Sequence, residues 1–130
     1  MMDNKMIVEG SLANVEEGGR TIGFSFLGRL PYYRGLGLSM IEDIEVTVDG
    51  QKVARGDVRF EVRGSRYSLD EMETTYDNRW NFGEKATIIV LKDGGLAPGS
   101  HRIGFGTRLR ISYLPMVPTT RDAKDMALAA

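Results

Sequence analysis

Residues 102–113 read RIGFGTRLRISY, and their side chains change character at every step. Ile103, Phe105, Thr107, Leu109, Ile111 and Tyr113 fall on one side of an extended chain, and Arg102, Gly104, Gly106, Arg108, Arg110 and Ser112 on the other. A two-residue period sends alternate side chains to opposite faces of a strand, one toward a core and one toward water. The same period recurs upstream. Ile22, Phe24, Phe26 and Leu30 oppose Thr21, Ser25 and Arg29; Ile44, Val46 and Val48 alternate with Glu45, Thr47 and Asp49; Val58, Phe60 and Val62 alternate with Arg59, Glu61 and Arg63. Thr87 to Leu91 is apolar almost throughout, as befits a central strand buried on both faces.

The punctuation between these runs suits antiparallel strands. Asp49-Gly50 before Gln51–Val53 is a hairpin signal, since glycine reaches positive φ cheaply. Arg63-Gly64-Ser65-Arg66, Asp93-Gly94-Gly95 and Leu96-Ala97-Pro98-Gly99 mark further turns. Helix signals are few. Ser68 and Glu71 have capping-box spacing for about one turn, whereas at Ser39 and Glu42 strand alternation resumes at once. The pattern predicts an all-β fold: an antiparallel β-sandwich, immunoglobulin-like or jelly-roll, of about six to eight strands with at most one short helical turn. One sandwich domain is expected over 1–116. Alternation fades in VPTTRDAKDMALAA, which predicts a tail or arm over 117–130.

Length and composition narrow the functional classes. A chain of 130 residues with 42% hydrophobic content holds one core, so one domain suffices. Lysine plus arginine number 17 against 18 acidic residues, a formal net charge of -1, which argues against a broad field for nucleic acid or an anionic membrane. The absence of cysteine removes disulfides, thiolate nucleophiles and thiolate metal sites, and suits a reducing cytoplasm. MMDNKMIVEG lacks the apolar core of a secretory signal, and no segment approaches the roughly 18 apolar residues of a spanning helix. The expected setting is the cytoplasm.

Catalytic chemistry is hard to assemble from these residues. His101 is the one histidine, beside the Pro98-Gly99 turn, where a surface role is the plain expectation. A cupin-like metal site would want several histidines with a carboxylate. A serine nucleophile would have only His101 as its histidine base, and no G-x-S-x-G elbow occurs. Glu42, Asp43 and Glu45, and Asp70, Glu71 and Glu73, form carboxylate clusters that read as solvated edges or arginine partners. The glycines lack the strand–loop–helix context of a phosphate cradle; Gly104 and Gly106 within a strand predict close packing or a bulge. No catalytic and no metal-ligating residue is therefore expected on this chain.

The aromatics in connections are the more informative set. RLPYYRGLGLSMIED at 29–43 places Pro31, Tyr32, Tyr33, Arg34 and Gly35 between two strand patterns, and Tyr76, Arg79, Trp80 and Phe82 occupy another connection. Tyr, Trp and Arg dominate protein–protein hot spots and stack on sugars and flat rings. Capping the open end of the core is the alternative, evenly balanced for Trp80 and weaker for adjacent Tyr32 and Tyr33, whose side chains diverge when extended.

The ordered series IVEGSLANVEE, GFSF, RLPYYRGLGLSMIEDIEVTVDGQKV, RWNFGEKATIIVLKDGGLAPGSHRI and LRISYLP resembles the small β subunit of bacterial C-deglycosylation enzymes, over Ile7 to about Pro115. That resemblance implies a heteromer with an α subunit built as a sugar-isomerase-like (β/α)8 barrel, with α–β pairs assembling further. It implies a divalent metal, manganese in the usual case, on the α subunit and no cofactor on this chain. It also implies a 3-oxo-C-glycoside substrate, often of a flavonoid or other polyphenol, cleaved by β-elimination. Pro31, Tyr32, Tyr33, Arg34 and Gly35, with Arg79 and Trp80, then become candidates for an α-subunit interface or for the neighbourhood of the aglycone. The competing expectation is a free-standing carbohydrate- or polyphenol-binding sandwich using the same rings. An independent enzyme built on His101 and an acidic neighbour ranks last.

Overall fold

The computed structural model describes residues 6–30, 35–81, 84–109 and 119–128. Among them the chain forms two large antiparallel sheets. The first holds β1 (Ala13–Glu17), β2 (Arg20–Arg29), β6 (Val58–Val62), β7 (Ser65–Ser68) and β9 (Lys85–Leu91), in the order β1-β2-β9-β6-β7. The second holds β4 (Ile41–Val48), β5 (Gln51–Lys52), β10 (Gly99–Leu109) and β11 (Thr119–Leu128), in the order β11-β10-β4-β5. A small third ladder joins β3 (Leu36–Gly37) to β8 (Arg79–Trp80). The antiparallel sandwich is as the alternation predicts. The described strands number eleven, above the predicted count: β3 and β8 are two residues long and too short to carry a period, and β11 lies in the segment expected as a tail.

The inward residues are those that the period picks out. Phe24 and Phe26 of β2, Ile44 and Val46 of β4, Val58, Phe60 and Val62 of β6, and Ile103, Phe105 and Leu109 of β10 all enter one buried cluster. Continuous apolarity places β9 at the centre of its sheet, between β2 and β6, with Ile88, Ile89 and Val90 buried. The two sheets meet where the Phe26 and Phe105 rings stand edge to face, centroids 5.5 Å apart at 74°. Gly28, two residues further along β2, leaves the space for that ring: a Cβ there would lie 2.8 Å from Phe105 Cε2.

The turns follow their residue types. Asp49 and Gly50 have φ of 50° and 86°, and Arg63 and Gly64 have φ of 48° and 84°, the paired positive values of tight two-residue hairpins. Ser68 and Glu71 form the expected capping box on the one-turn helix α1 (Leu69–Met72). A 3₁₀ turn over Leu38–Met40 precedes β4 without a side-chain cap, consistent with no more than a brief turn at that point. Gly104 and Gly106 serve close packing on the outer face of β10. A Cβ on Gly104 would meet Thr47 Oγ1 at 2.2 Å, and one on Gly106 would lie 3.1 Å from Arg121 Cγ.

The largest departure concerns residues 117–130, expected as a tail or arm. Thr119–Leu128 is a ten-residue strand, paired with β10 from Gly99↔Leu128 to Arg108↔Thr119. The sandwich therefore continues past position 116. The apolar period is hidden because two inward positions of β11 are charged, Asp122 and Lys124; only Met126 and Leu128 are inward and buried. Those two charges neutralise each other, Lys124 Nζ lying 3.2 Å from Asp122 Oδ2. Asp122 Oδ2 also accepts the Ile7 N–H at 3.1 Å, tying the first described segment to the last. The expected extension of β10 through Tyr113 lies outside the described residues.

The contact at the centre sets a test. Gly28→Ala should cost about 1–3 kcal/mol through overpacking, and Phe105→Ala about 3–5 kcal/mol through the cavity it leaves. Because both act on one contact, the double variant should cost less than the sum in urea denaturation. A neutral Gly28→Ala would remove the proposed crowding.

Candidate functional site

The expected interface residues divide between two connections that the fold brings together. Pro31, Tyr32, Tyr33 and Arg34 lie outside the described residues. Gly35, Arg79 and Trp80 are described and adjoin: a Cβ on Gly35 would lie 2.9 Å from Arg79 Nη2 and 3.1 Å from the Trp80 carbonyl oxygen. Leu36 pairs with Trp80 and Gly37 with Arg79, and the Leu38 N–H donates to the Asn78 carbonyl at 3.1 Å. Leu30 and Leu38, on either side of the candidate loop, are fully buried. Both ends of that loop are thus fixed to the core, and its C-terminal end runs against residues 78–81.

Trp80 takes the core alternative. It is wholly buried, its ring edge-on to Phe60 at 5.1 Å and 68°, and its Nε1–H donates to the Glu84 carbonyl at 2.8 Å. It supports the connection from beneath and offers no face to a partner. Among the described aromatics the exposed one is Tyr76, 80% accessible, beside a shallow hollow of about 350 Å³ lined with Gly37, Arg63, Asp77, Asn78 and Arg79.

Arg63, on its hairpin turn, is the peg for this corner. Its guanidinium donates to both Glu84 carboxylate oxygens at 2.5 Å, to Asn78 Oδ1, and to the Arg79 carbonyl at 2.7 Å. Glu84 Oε1 in turn accepts the Asn81 N–H at 3.0 Å. Partial burial pushes the Glu84 carboxyl upward, but the bonds from Arg63 and Asn81 outweigh it and hold the group below the ordinary carboxylate value. Nothing in the pattern of residues 63 and 84 signals this pairing, because its partners are 21 positions apart.

The carboxylate clusters are salt-bridge partners, in keeping with the abundance of arginine. Arg55 meets Asp43 at 2.5 Å, Glu73 at 3.4 Å and Asp70 at 3.5 Å. Arg108 pairs with Glu42 at 3.2 Å, and Arg121 with Glu45 through two bonds at 3.0 and 3.3 Å. The Arg121 bond lowers the Glu45 pKa. Among the described residues no group of three or more His, Asp or Glu side chains is placed to hold a metal ion.

His101 does have an acidic neighbour. Its Nδ1 lies 2.8 Å from Asp49 Oδ2 and its Nε2 2.7 Å from the Ala97 carbonyl. Both oxygens accept while the carboxylate is ionised, so in the protonated ring both nitrogens donate and the imidazole forms a charged clasp. Asp49 Oδ1 further accepts the Arg102 N–H at 2.8 Å. In that protonated form the ring has no nitrogen left to take a substrate proton.

The family described as C-glycoside deglycosidase beta subunit matches residues 2–113. The chain belongs to that family. It is 34% identical over 125 residues to the C-glycoside deglycosidase beta subunit of Eubacterium cellulosolvens, covering 95% of this chain and 84% of the relative. It is 34% identical over 116 residues to a Microbacterium protein named 3'-dehydrocarminate deglycosidase beta subunit, covering 89% and 83%. A C-glycoside deglycosidase beta subunit of Arthrobacter globiformis matches at 34% over 71 residues, 55% of this chain and 54% of the relative. The name of a beta subunit implies a companion subunit. Membership accordingly makes this chain one part of a deglycosidase assembly.

The clasp at His101 predicts a pH dependence. The bond to Asp49, with that to Ala97, raises the His101 pKa, and the bond from His101 lowers that of Asp49. The histidine contribution to stability is thus complete below its ordinary value of about 6.5 and is lost as pH rises through the raised folded value. His101→Asn should therefore lower Tm most near pH 6, and the gap from the unsubstituted chain should close toward pH 9. A gap that widens with pH would contradict the charged clasp.

Proposed function

We propose that this chain is the non-catalytic β subunit of a heteromeric C-deglycosylation enzyme, a carbon–carbon lyase acting on 3-oxo-C-glycosides in the cytoplasm. Family membership across residues 2–113 carries the reading. Two features of the chain support its non-catalytic half. His101 is fully bonded, and the carboxylates of both sequence clusters are engaged with arginines or, for Glu71, with the cap of α1.

The chemistry explains why two subunits would divide the work. A carbon–carbon glycosidic bond has no bridging oxygen to protonate, so the two-carboxylate route of ordinary glycosidases has no leaving group. A ketone at sugar C3 acidifies the C2 proton. A base takes that proton, the electron pair forms the C1–C2 double bond, and the C1–aglycone bond breaks. Its electrons leave on the aglycone carbon, which then acquires a proton. The 3'-dehydro prefix in the Microbacterium relative's name fits a substrate already oxidised at that carbon. A divalent cation, manganese by family resemblance, would supply Lewis acidity toward the ketone from the partner subunit.

This chain's part is adhesive. The partner is a sugar-isomerase-like (β/α)8 barrel, with α–β pairs associating further. The loop Pro31–Gly37 docks on it beside the mouth of the active site, where a flavonoid or other polyphenol aglycone would lie. Anchoring by buried Leu30 and Leu38, and by the Arg63–Glu84 peg beneath residues 78–81, holds the loop ends in place before docking. Such preorganisation reduces the ordering cost of association. Tyr76 and Arg79 extend the same surface, with Trp80 as its floor.

Co-purification with the barrel subunit tests the assignment. Tyr32→Ala/Tyr33→Ala/Arg34→Ala should weaken assembly by about tenfold or more, the loss typical of removing hot-spot side chains. Unchanged assembly would dismiss the docking loop. Cleavage of a 3-oxo-C-glycoside by this chain alone would dismiss the non-catalytic assignment.

A further inference from the structure

We propose that β11 is a self-complementary edge through which two copies of this chain pair. The segment is Arg121-Asp122-Ala123-Lys124-Asp125. Reversed about Ala123, every charge meets its opposite: Arg121 faces Asp125, and Asp122 faces Lys124. Two antiparallel strands related by a twofold axis impose that reversal, because position i of one copy lies opposite the mirror position of the other.

Comparison of the described edges favours β11. β1 is five residues long, carries an irregularity between Val15 and Glu16, and ends in two glutamates. β7 has four residues and β5 two. Short or bulged strands with like charges are the usual guards of an open edge. β11 runs ten residues in unbroken register with β10 and ends its sheet. Charged residues pointing inward are also a guard, and β11 has two; here they are of opposite sign, already within 3.2 Å of each other. A second copy therefore meets no unpaired charge at those positions.

The outer face extends the argument across the sheet. Arg121 reaches Glu45 of β4 over Gly106, and Asp125 lies 3.4 Å from Arg102 of β10. With Ala123 on the axis, the row runs Glu45, Arg121, the second copy's Asp125, the second copy's Arg102. Sign alternates at each step, and a related row lies on the other side of the axis. Arg121 and Asp125 are 65% and 70% exposed and so have room for a second partner. The Ala123 N–H, bonded within the chain to Asp122 Oδ1 at 2.8 Å, would exchange that bond for a carbonyl of the second copy. Two four-stranded sheets would become one continuous sheet.

The absence of native cysteine makes the register directly testable. Ala123→Cys places two thiols opposite each other on the axis, at the Cα separation that a disulfide accepts, whereas Ala127→Cys lies opposite Thr119. In the full chain, produced with its partner subunit, mild oxidation should join Ala123→Cys chains at least about tenfold faster than Ala127→Cys chains. Sedimentation of the unsubstituted chain over roughly 1–100 µM should show reversible self-association, as a small interface would give. Equal cross-linking of the two variants, or no concentration dependence, would overturn the proposal. So would capture of the edge by another protein that leaves Ala123→Cys chains unjoined.

Discussion

Two aromatic rings meeting edge to face, with one glycine making room, fix how the two sheets lie on each other. Phe26 belongs to β2, Phe105 to β10, and Gly28 leaves the volume that the Phe105 ring fills. An edge-to-face pair adds about 0.5–1.5 kcal/mol beyond area burial, but position matters more than that increment. β2 carries β9 and, through it, β6; β10 carries β4 and β11. Moving the ring would shift the seam between the groups that frame the candidate corner. That corner rests on the first sheet through Phe60 of β6 against Trp80.

Alternation made most of this architecture legible. Wherever one face is buried and the other wet, as in β2, β4, β6 and β10, each side chain announces its side. The Asp49-Gly50 and Arg63-Gly64 turns and the Ser68–Glu71 cap are legible for another reason: backbone geometry selects those residue types locally. β11 was hidden because its inward positions hold an ion pair, and a pattern reader scores Asp122 and Lys124 as solvent-facing. Only tertiary placement reveals that they satisfy each other and the Ile7 N–H. β3 and β8 were hidden by brevity.

The candidate corner was legible in part. Clustered Tyr, Arg and Trp marked both connections, and the fold does bring Gly35 against Arg79 and Trp80. Composition could not divide the aromatics between floor and surface. Trp80 is inward and bonded through its indole N–H, whereas Tyr76 is outward. The Arg63–Glu84 peg escaped entirely, since an ion pair across 21 residues leaves no spacing signal. The carboxylate clusters met the reverse fate, their arginine partners being foreseeable from abundance alone.

Those ion pairs also decide how this molecule can recognise anything. With 17 cationic side chains against 18 acidic ones, many of them paired within the fold, little field extends beyond a Debye length of about 8 Å at physiological salt. Diffusional steering by net charge is therefore weak, and a partner must be selected at contact range. Contact selection demands surfaces whose shape or register is fixed beforehand. The chain offers two of that kind: a corner pegged by Arg63 over a tryptophan floor, and a straight edge whose charges repeat in reverse. The first, where Gly35 lies against Arg79 and Trp80, is the surface proposed for the partner subunit. The second is defined by symmetry: in the proposed pairing the exposed Arg121 and Asp125 meet their opposites, while Asp122 and Lys124 keep the bond they already share.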